Sequence, residues 1–260
     1  MANACIMVDN QADGGRVVAS SQALAMPASN LLNPHPSERW RALAPSAWAV
    51  LRKTALAPAD TVMLCGLTCG PNATIRLRLS SSDSLGVAAD VLDTGVISSG
   101  DAHFDIAYGS FVWRLPAPAA WQFTRVDIDD PDADFVEAGC IADGLAESFD
   151  YNFVRGGERQ WVDRSRVSST SSGMTLTWDD VSFRRLNLSF DFISLQQKNG
   201  LIERLDRVKG RRRNVLFIVD PDSDNLPRDS VYGLVTDLTP VSFGPVNDIF
   251  GKQFRIDERI

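Results

Sequence analysis

The stretch that most restricts the fold is Arg185-Leu186-Asn187-Leu188-Ser189-Phe190-Asp191-Phe192-Ile193, in which polar and apolar residues alternate almost to the end. A period of two suits a strand with one buried and one wet face, because successive side chains point to opposite sides of a sheet. Leu186, Leu188, Phe190 and Phe192 are therefore expected inside, with Arg185, Asn187, Ser189 and Asp191 outside. The period then changes. Leu195, Leu201, Ile202, Leu205 and Val208 form one stripe of a helix over 194–209, opposed by Gln196, Lys198, Glu203 and Arg207, and Gly210 stands where a C-terminal cap belongs. An apolar run at 215–219 and a further strand pattern follow. One helix on one face of a small antiparallel sheet makes residues 183–260 an α+β module.

The first half has a different texture. Alternating or apolar segments recur at 61–67, 74–80, 88–93, 103–112, 123–129 and 135–141, with Gly, Pro, Asn and Asp between them, and 16–19 adds a further strand candidate. Short strands at this spacing read as a β-sandwich or jelly roll, so the chain is expected to be mainly β. Pro34 and Pro36 exclude a helix over 28–41, which is expected to be a loop pinned by Trp40. Residues 146–182 are polar, with Gly156-Gly157 and a serine run at 168–172, and read as an extended arm or linker. Trp161 and Trp178 within it argue for packing or partner contact, since large aromatics seldom stand in solvent without use. The expected division is 1–145 sandwich, 146–182 arm and 183–260 α+β module, with the main boundary near 142–155.

Charge and motif content narrow the function. A net charge of −7 disfavours coating a nucleic acid, which requires positive surface to displace phosphate counterions. No apolar run approaches the ~20 residues of a membrane span. Residues 1–10 lack the basic and apolar regions of a signal peptide, so synthesis in the cytoplasm is expected. Lysine occurs only at Lys53, Lys198, Lys209 and Lys252, leaving 22 of the 26 basic residues as arginine (26 − 4), a residue enriched where planar groups meet across interfaces. Cys65 and Cys69 have no second pair at zinc-site spacing and read as buried free thiols. Asp220, Asp222 and Asp224 begin like a calcium loop, but Asn225 and Val231 occupy the positions that demand Gly and Glu, so a turn is expected. The run Asp127, Asp129, Asp130, Asp132 and Asp134 reads as a solvated loop. No nucleophile motif, phosphate loop, metalloprotease motif or dinucleotide fingerprint is present, so the expectation is a non-enzyme without cofactor or metal. The clusters Arg184-Arg185 and Arg211-Arg212-Arg213, with Trp161 and Trp178, are the candidate interface residues.

Two resemblances carry these readings further. Asn30-Leu31-Leu32-Asn33 leading into Arg39-Trp40-Arg41, then Leu64-Cys65-Gly66-Leu67, then Phe123 before Thr124-Arg125-Val126-Asp127-Ile128-Asp129, resemble the discoidin-like, galactose-binding-like β-sandwich. Trp161-Val162-Asp163-Arg164-Ser165-Arg166-Val167, Phe183-Arg184-Arg185-Leu186, Val215-Leu216-Phe217-Ile218-Val219-Asp220-Pro221 and Tyr232-Gly233-Leu234-Val235 resemble, in order and composition, the distal-tail and minor-tail proteins of long-tailed bacteriophages. That second resemblance implies a structural virion protein of the tail-tip baseplate, made in the host bacterial cytoplasm. It would form a homo-oligomeric ring, six-fold like the tail tube, joining the tube to hub and fibre proteins, with the sandwich decorating the ring or docking fibres. The alternative is a module that binds carbohydrate or a cell surface during host adsorption, which would need Trp40, Trp113 or Trp121 exposed at its loops, although these aromatics are expected to be core residues.

Overall fold

The computed structural model describes residues 2–244 and 248–260. The chain is mainly β, its sheets are antiparallel, and it divides into two compact units. The first holds residues up to Phe149 together with Val215–Ser230 and Ile260; the second holds Asp150–Asn214 and Val231–Arg259. The first unit thus recruits the apolar run at 215–219, which the linear reading assigned to the C-terminal module.

In the first unit, β1 (Cys5–Met7) and β2 (Arg16–Ala19) precede two 20-residue strands, β3 (Ser46–Cys65) and β5 (Ser110–Asp129), with β4 (Thr74–Ser80) between them and β6 (Cys140–Gly144) after. The early half of β3 pairs with the late half of β5, from Ser46↔Asp129 to Arg52↔Phe123, and its late half with the early half of β5, from Thr61↔Arg114 to Cys65↔Ser110. β2 and β4 extend the first of these halves, and β6 extends the second. Leu51, Leu77 and Val126 from one half share a single buried cluster with Leu64, Phe111 and Ile141 from the other, so the two halves close over one core as a β-sandwich. A second layer of pairing joins β1 to Asn214–Ile218, a strand buried at every residue.

Where β3 and β5 slip register between their halves, the core contains charge. Lys53 Nζ lies 3.0 Å from Asp143 Oδ1, and both side chains are nearly inaccessible. Trp121 Nε1 donates to Asp143 Oδ2 at 2.9 Å, Gln11 Oε1 accepts from Lys53 at 3.0 Å, and the ammonium sits 4.2 Å from the Trp121 ring centroid. Burial pulls the Lys53 pKa below its ordinary value, with Asp143 opposing that pull. A charge so placed is tolerable only because each partner is hydrogen-bonded.

In the second unit the sheet runs through β7 (Glu158–Asp163), β10 (Ser182–Ser194), β12 (Ile249–Glu258) and β11 (Ser230–Leu238), with β7 at its end; β8 (Arg166–Ser169) and β9 (Thr175–Trp178) form a separate hairpin. Residues 146–182, read as an arm or linker, thus carry paired strands. A helical segment over 195–209 follows β10, as its spacing required, but the turns Lys198–Ile202 and Leu205–Lys209 are π-helical.

Three local expectations need correction. Phe192 is 52% exposed, while Leu186, Leu188, Phe190 and Ile193 are buried. The register of β10 against β12 shifts between Phe190 and Ile193, and a bulge of this kind turns the following side chains to the opposite face. Of the helical stripe, Leu201, Ile202 and Leu205 are buried but Leu195 and Val208 are not, because i→i+5 turns rotate a face that was read at 3.6 residues per turn. Residues Ala28–Leu32 form a short 3-10 helix, which ends at Asn33 and so avoids both prolines; Trp40 is buried as expected, with Nε1 donating to the Ser21 carbonyl at 3.0 Å.

Candidate functional site

Six of the second unit's exposed large apolar residues, Trp161, Val167, Met174, Leu176, Trp178 and Val181, follow one another within 161–181; others, such as Tyr151, Phe192 and Phe243, stand elsewhere. β7 is the terminal strand of its sheet, paired on one side to β10 with Glu158↔Asn187, Trp161↔Arg184 and Asp163↔Ser182. Five of its six residues are exposed and Val162 is half-buried. A sheet edge of this kind is a template for another strand.

Beyond β7 the chain is gathered by two short polar links. Asp163 Oδ1 accepts from the Ser165 amide at 2.7 Å, which holds the Asp163 carboxyl below its ordinary range, and Ser165 Oγ accepts from the Asp180 amide at 3.1 Å. These links close the base of the β8–β9 hairpin, whose register runs from Arg166↔Trp178 to Ser169↔Thr175. At its tip the Thr170 amide donates to the Met174 carbonyl at 2.8 Å, and Gly173 adopts φ +83°, a conformation L side chains rarely take. Every residue of both strands is exposed. A free two-stranded hairpin is at best marginal in water, yet this one presents Val167, Met174, Leu176 and Trp178 to solvent, between Trp161 and Val181, which are also exposed. Trp161 is 61% and Trp178 54% accessible. Singly exposed apolar residues are ordinary; here several follow one another on an edge strand and the adjoining hairpin.

The arginine candidates separate into two groups. Arg184 is 1% exposed, and its guanidinium and amide both bond the Glu258 carboxylate, with Nε–Oε2 at 2.9 Å. Arg185 makes a two-pronged pair with Asp257, both bonds at 2.6 Å, which raises its pKa further. Both therefore act inside their own chain rather than on a neighbour. The cause is register: β10 and β12 align Arg185 with Asp257, which brings the doublet Arg184-Arg185 against Asp257-Glu258. Those acidic partners were missed in the sequence, although the antiparallel match of a basic and an acidic doublet was there to find. Arg211, Arg212 and Arg213, by contrast, are exposed, in the turn between the helical segment and Asn214–Ile218, and among the described residues no ion pair joins them.

The acidic runs are likewise used locally. Asp127 pairs with Arg78 at 2.7 Å and Arg125 at 2.8 Å; Asp130 accepts from the Gly70 amide at 2.7 Å. Asp222 accepts from the Ala2 amide, and Asn225 caps the short helix Leu226–Asp229 by accepting from the Arg228 amide at 2.9 Å. Among the described residues no three His, Cys, Asp or Glu side chains are grouped to hold a metal ion. None of their helices is long and apolar enough to cross a membrane.

Of the three aromatics named for glycan contact, two are in the interior. Trp40 is 1% exposed and Trp121 0%, while the half-buried Trp113 lies tilted at 41° against His103 with ring centroids 4.1 Å apart. The His103 Nδ1–H donates to the Val112 carbonyl, 2.9 Å away, and burial lowers its pKa.

No protein-family model matches the chain, and no curated protein does. Among solved structures, it is similar to chitosan-binding module 1 of a chitosanase/glucanase from Paenibacillus sp. IK-5, at 13% identity and TM-score 0.43, covering 52% of this chain and 98% of that one. It is similar to the lectin-binding domain of lectinolysin complexed with Lewis b at 11% identity and TM-score 0.41, covering 55% and 99% respectively. A Ruminococcus gnavus GH29 fucosidase matches at 12% identity and TM-score 0.42, over 54% of this chain and 27% of the enzyme. None of the three reaches a TM-score of one half.

Proposed function

We propose that this chain is a structural assembly protein that acts through β7 and the β8–β9 hairpin. The observation that carries this reading is the concentration of exposed Trp161, Val167, Met174, Leu176, Trp178 and Val181 on an edge strand and a hairpin without a sheet of its own. An edge strand offers backbone hydrogen bonds, and exposed tryptophans are the side chains most often central to a protein interface. With its resemblance to distal-tail and minor-tail proteins, the chain is a tail-tip component of a long-tailed bacteriophage. In this reading copies assemble into a six-fold ring between the tail tube and the hub and fibre proteins, and the role is non-catalytic. Arg211, Arg212 and Arg213 form the accessible basic contact, in place of Arg184 and Arg185.

In the glycan-binding alternative the contacts would come from side chains other than Trp40 and Trp121, which are buried in the core. Gold labelling of particles with an antibody to the chain tests location: signal at the tail end supports the reading, and signal along fibres or on capsids ends it. Hydrogen exchange tests the surface. Residues 158–181 are expected to exchange rapidly in the free chain and slowly in assembled particles. Equal protection in both states would show that the hairpin contacts nothing.

A further inference from the structure

We infer that Cys65 and Cys140 are an oxidisable pair that closes to a disulfide when the protein meets a peroxide-class oxidant. The two residues are directly opposed on antiparallel neighbours, β3 and β6, in the register Cys65↔Cys140. Opposed residues in such a pair have Cα atoms ~4.5–5.5 Å apart, inside the ~4.4–6.8 Å window of disulfides. Their side chains point the right way as well: the Sγ atoms are 2.8 Å apart. Cys65 is 7% and Cys140 2% exposed, and the Gly139 amide donates to the Cys65 carbonyl at 2.7 Å, holding the strands together beside the pair. Little movement separates the reduced and oxidised forms.

The other cysteines are placed differently. Cys5 is opposed to Ser148 and Ile218 across its strand pairs rather than to a second cysteine, and Cys69 lies outside the strands; burial also pushes both thiols up to about 12. The spacing that drew attention in the sequence, Cys65 with Cys69, is thus replaced by a pair 75 residues apart. The chemistry balances with one peroxide. One cysteine sulfur attacks the O–O bond, becoming a sulfenic acid as water departs with the protons. The second sulfur then attacks the sulfenic sulfur and expels a second water. Two thiols lose two electrons and two hydrogens; one peroxide becomes two waters.

The test uses the full chain treated with a small molar excess of hydrogen peroxide, then quenched and denatured. Of the four thiols, two are expected to remain, and peptide mapping should find Cys65 joined to Cys140 within one chain. Closing so long a loop constrains the unfolded state, so the thermal midpoint should rise by roughly 10 °C. Cys140→Ala should abolish both the thiol loss and the rise. Four surviving thiols, a bridge involving Cys5 or Cys69, or a bridge between chains would each overturn the inference. Should Cys140→Ala fail to fold, the peptide map of the unaltered chain decides alone.

Discussion

At the scale of single residues, side chains that look alike in sequence have opposite tasks here. Lys53 and Asp143 form a desolvated pair in the sandwich core, held by Trp121 and Gln11. Replacing Asp143 by Ala leaves the Lys53 ammonium buried without its counter-charge, and a loss of about 3–5 kcal/mol is expected in urea unfolding. An exposed pair behaves otherwise. The hydrogen bonds from Arg76 hold the Asp93 carboxyl down at about 2, against an ordinary 3.8, with Nε–Oδ1 at 2.8 Å. Because the folded state lowers this pKa, its stabilising contribution is complete above pH 3.8 and fades as pH falls through about 2. Asp93→Asn should therefore lower the urea midpoint near neutral pH, and the difference from the unaltered protein should vanish at the acid end. A difference that persists there would show that the carboxylate charge is not the cause. Arg184 and Arg185 were legible as important but not as internal, since an ion pair between β10 and β12 depends on a register that no local pattern states.

At the scale of elements, periodicity located β10 and the helical segment, and the structure shifted their faces. The bulge between Phe190 and Ile193 divides two phenylalanines that alternation treats as equivalent. Phe190 packs edge-on against Phe254 with centroids 5.5 Å apart, whereas Phe192 faces outward near Tyr151 at 6.1 Å. Phe190→Ala is expected to cost about 3–5 kcal/mol, and Phe192→Ser to stay within about 0.5 kcal/mol, both by denaturant titration. Equal losses would mean that no bulge turns Phe192 outward. The first-half patterns found β4 in full but saw only the late end of β3 and the two ends of β5. Pro58, Pro116 and Pro118 occupy their middles, where a ladder ordinarily tolerates no proline; here the register slips across Pro116 and Pro118 and on either side of the short stretch in which Pro58 faces Ala120.

At the scale of the whole molecule, the chain leaves the first unit after Phe149 and returns to it for Val215–Ser230. A protease that nicks 150–157 is therefore expected to leave the early fragment incomplete: Cys5–Met7 pairs with Asn214–Ile218, which lies beyond the cut. The nicked protein should elute as one species and separate only in denaturant. Clean release of a folded fragment ending near 149 would show that the first unit does without its returning strand. The amino-acid pattern alone was enough for the mainly β class, the helical segment after β10 and the buried run near 217. Those features depend on side-chain period and type over a few neighbouring residues, which is local information. The tertiary structure alone decided that the apolar run serves the first unit, that Arg184 and Arg185 face Asp257 and Glu258, that Cys65 meets Cys140, and that Trp161 and Trp178 stand in solvent. Each of these depends on which distant strands pair and in what register, and that choice is made by the energy of the assembled core rather than by any single segment.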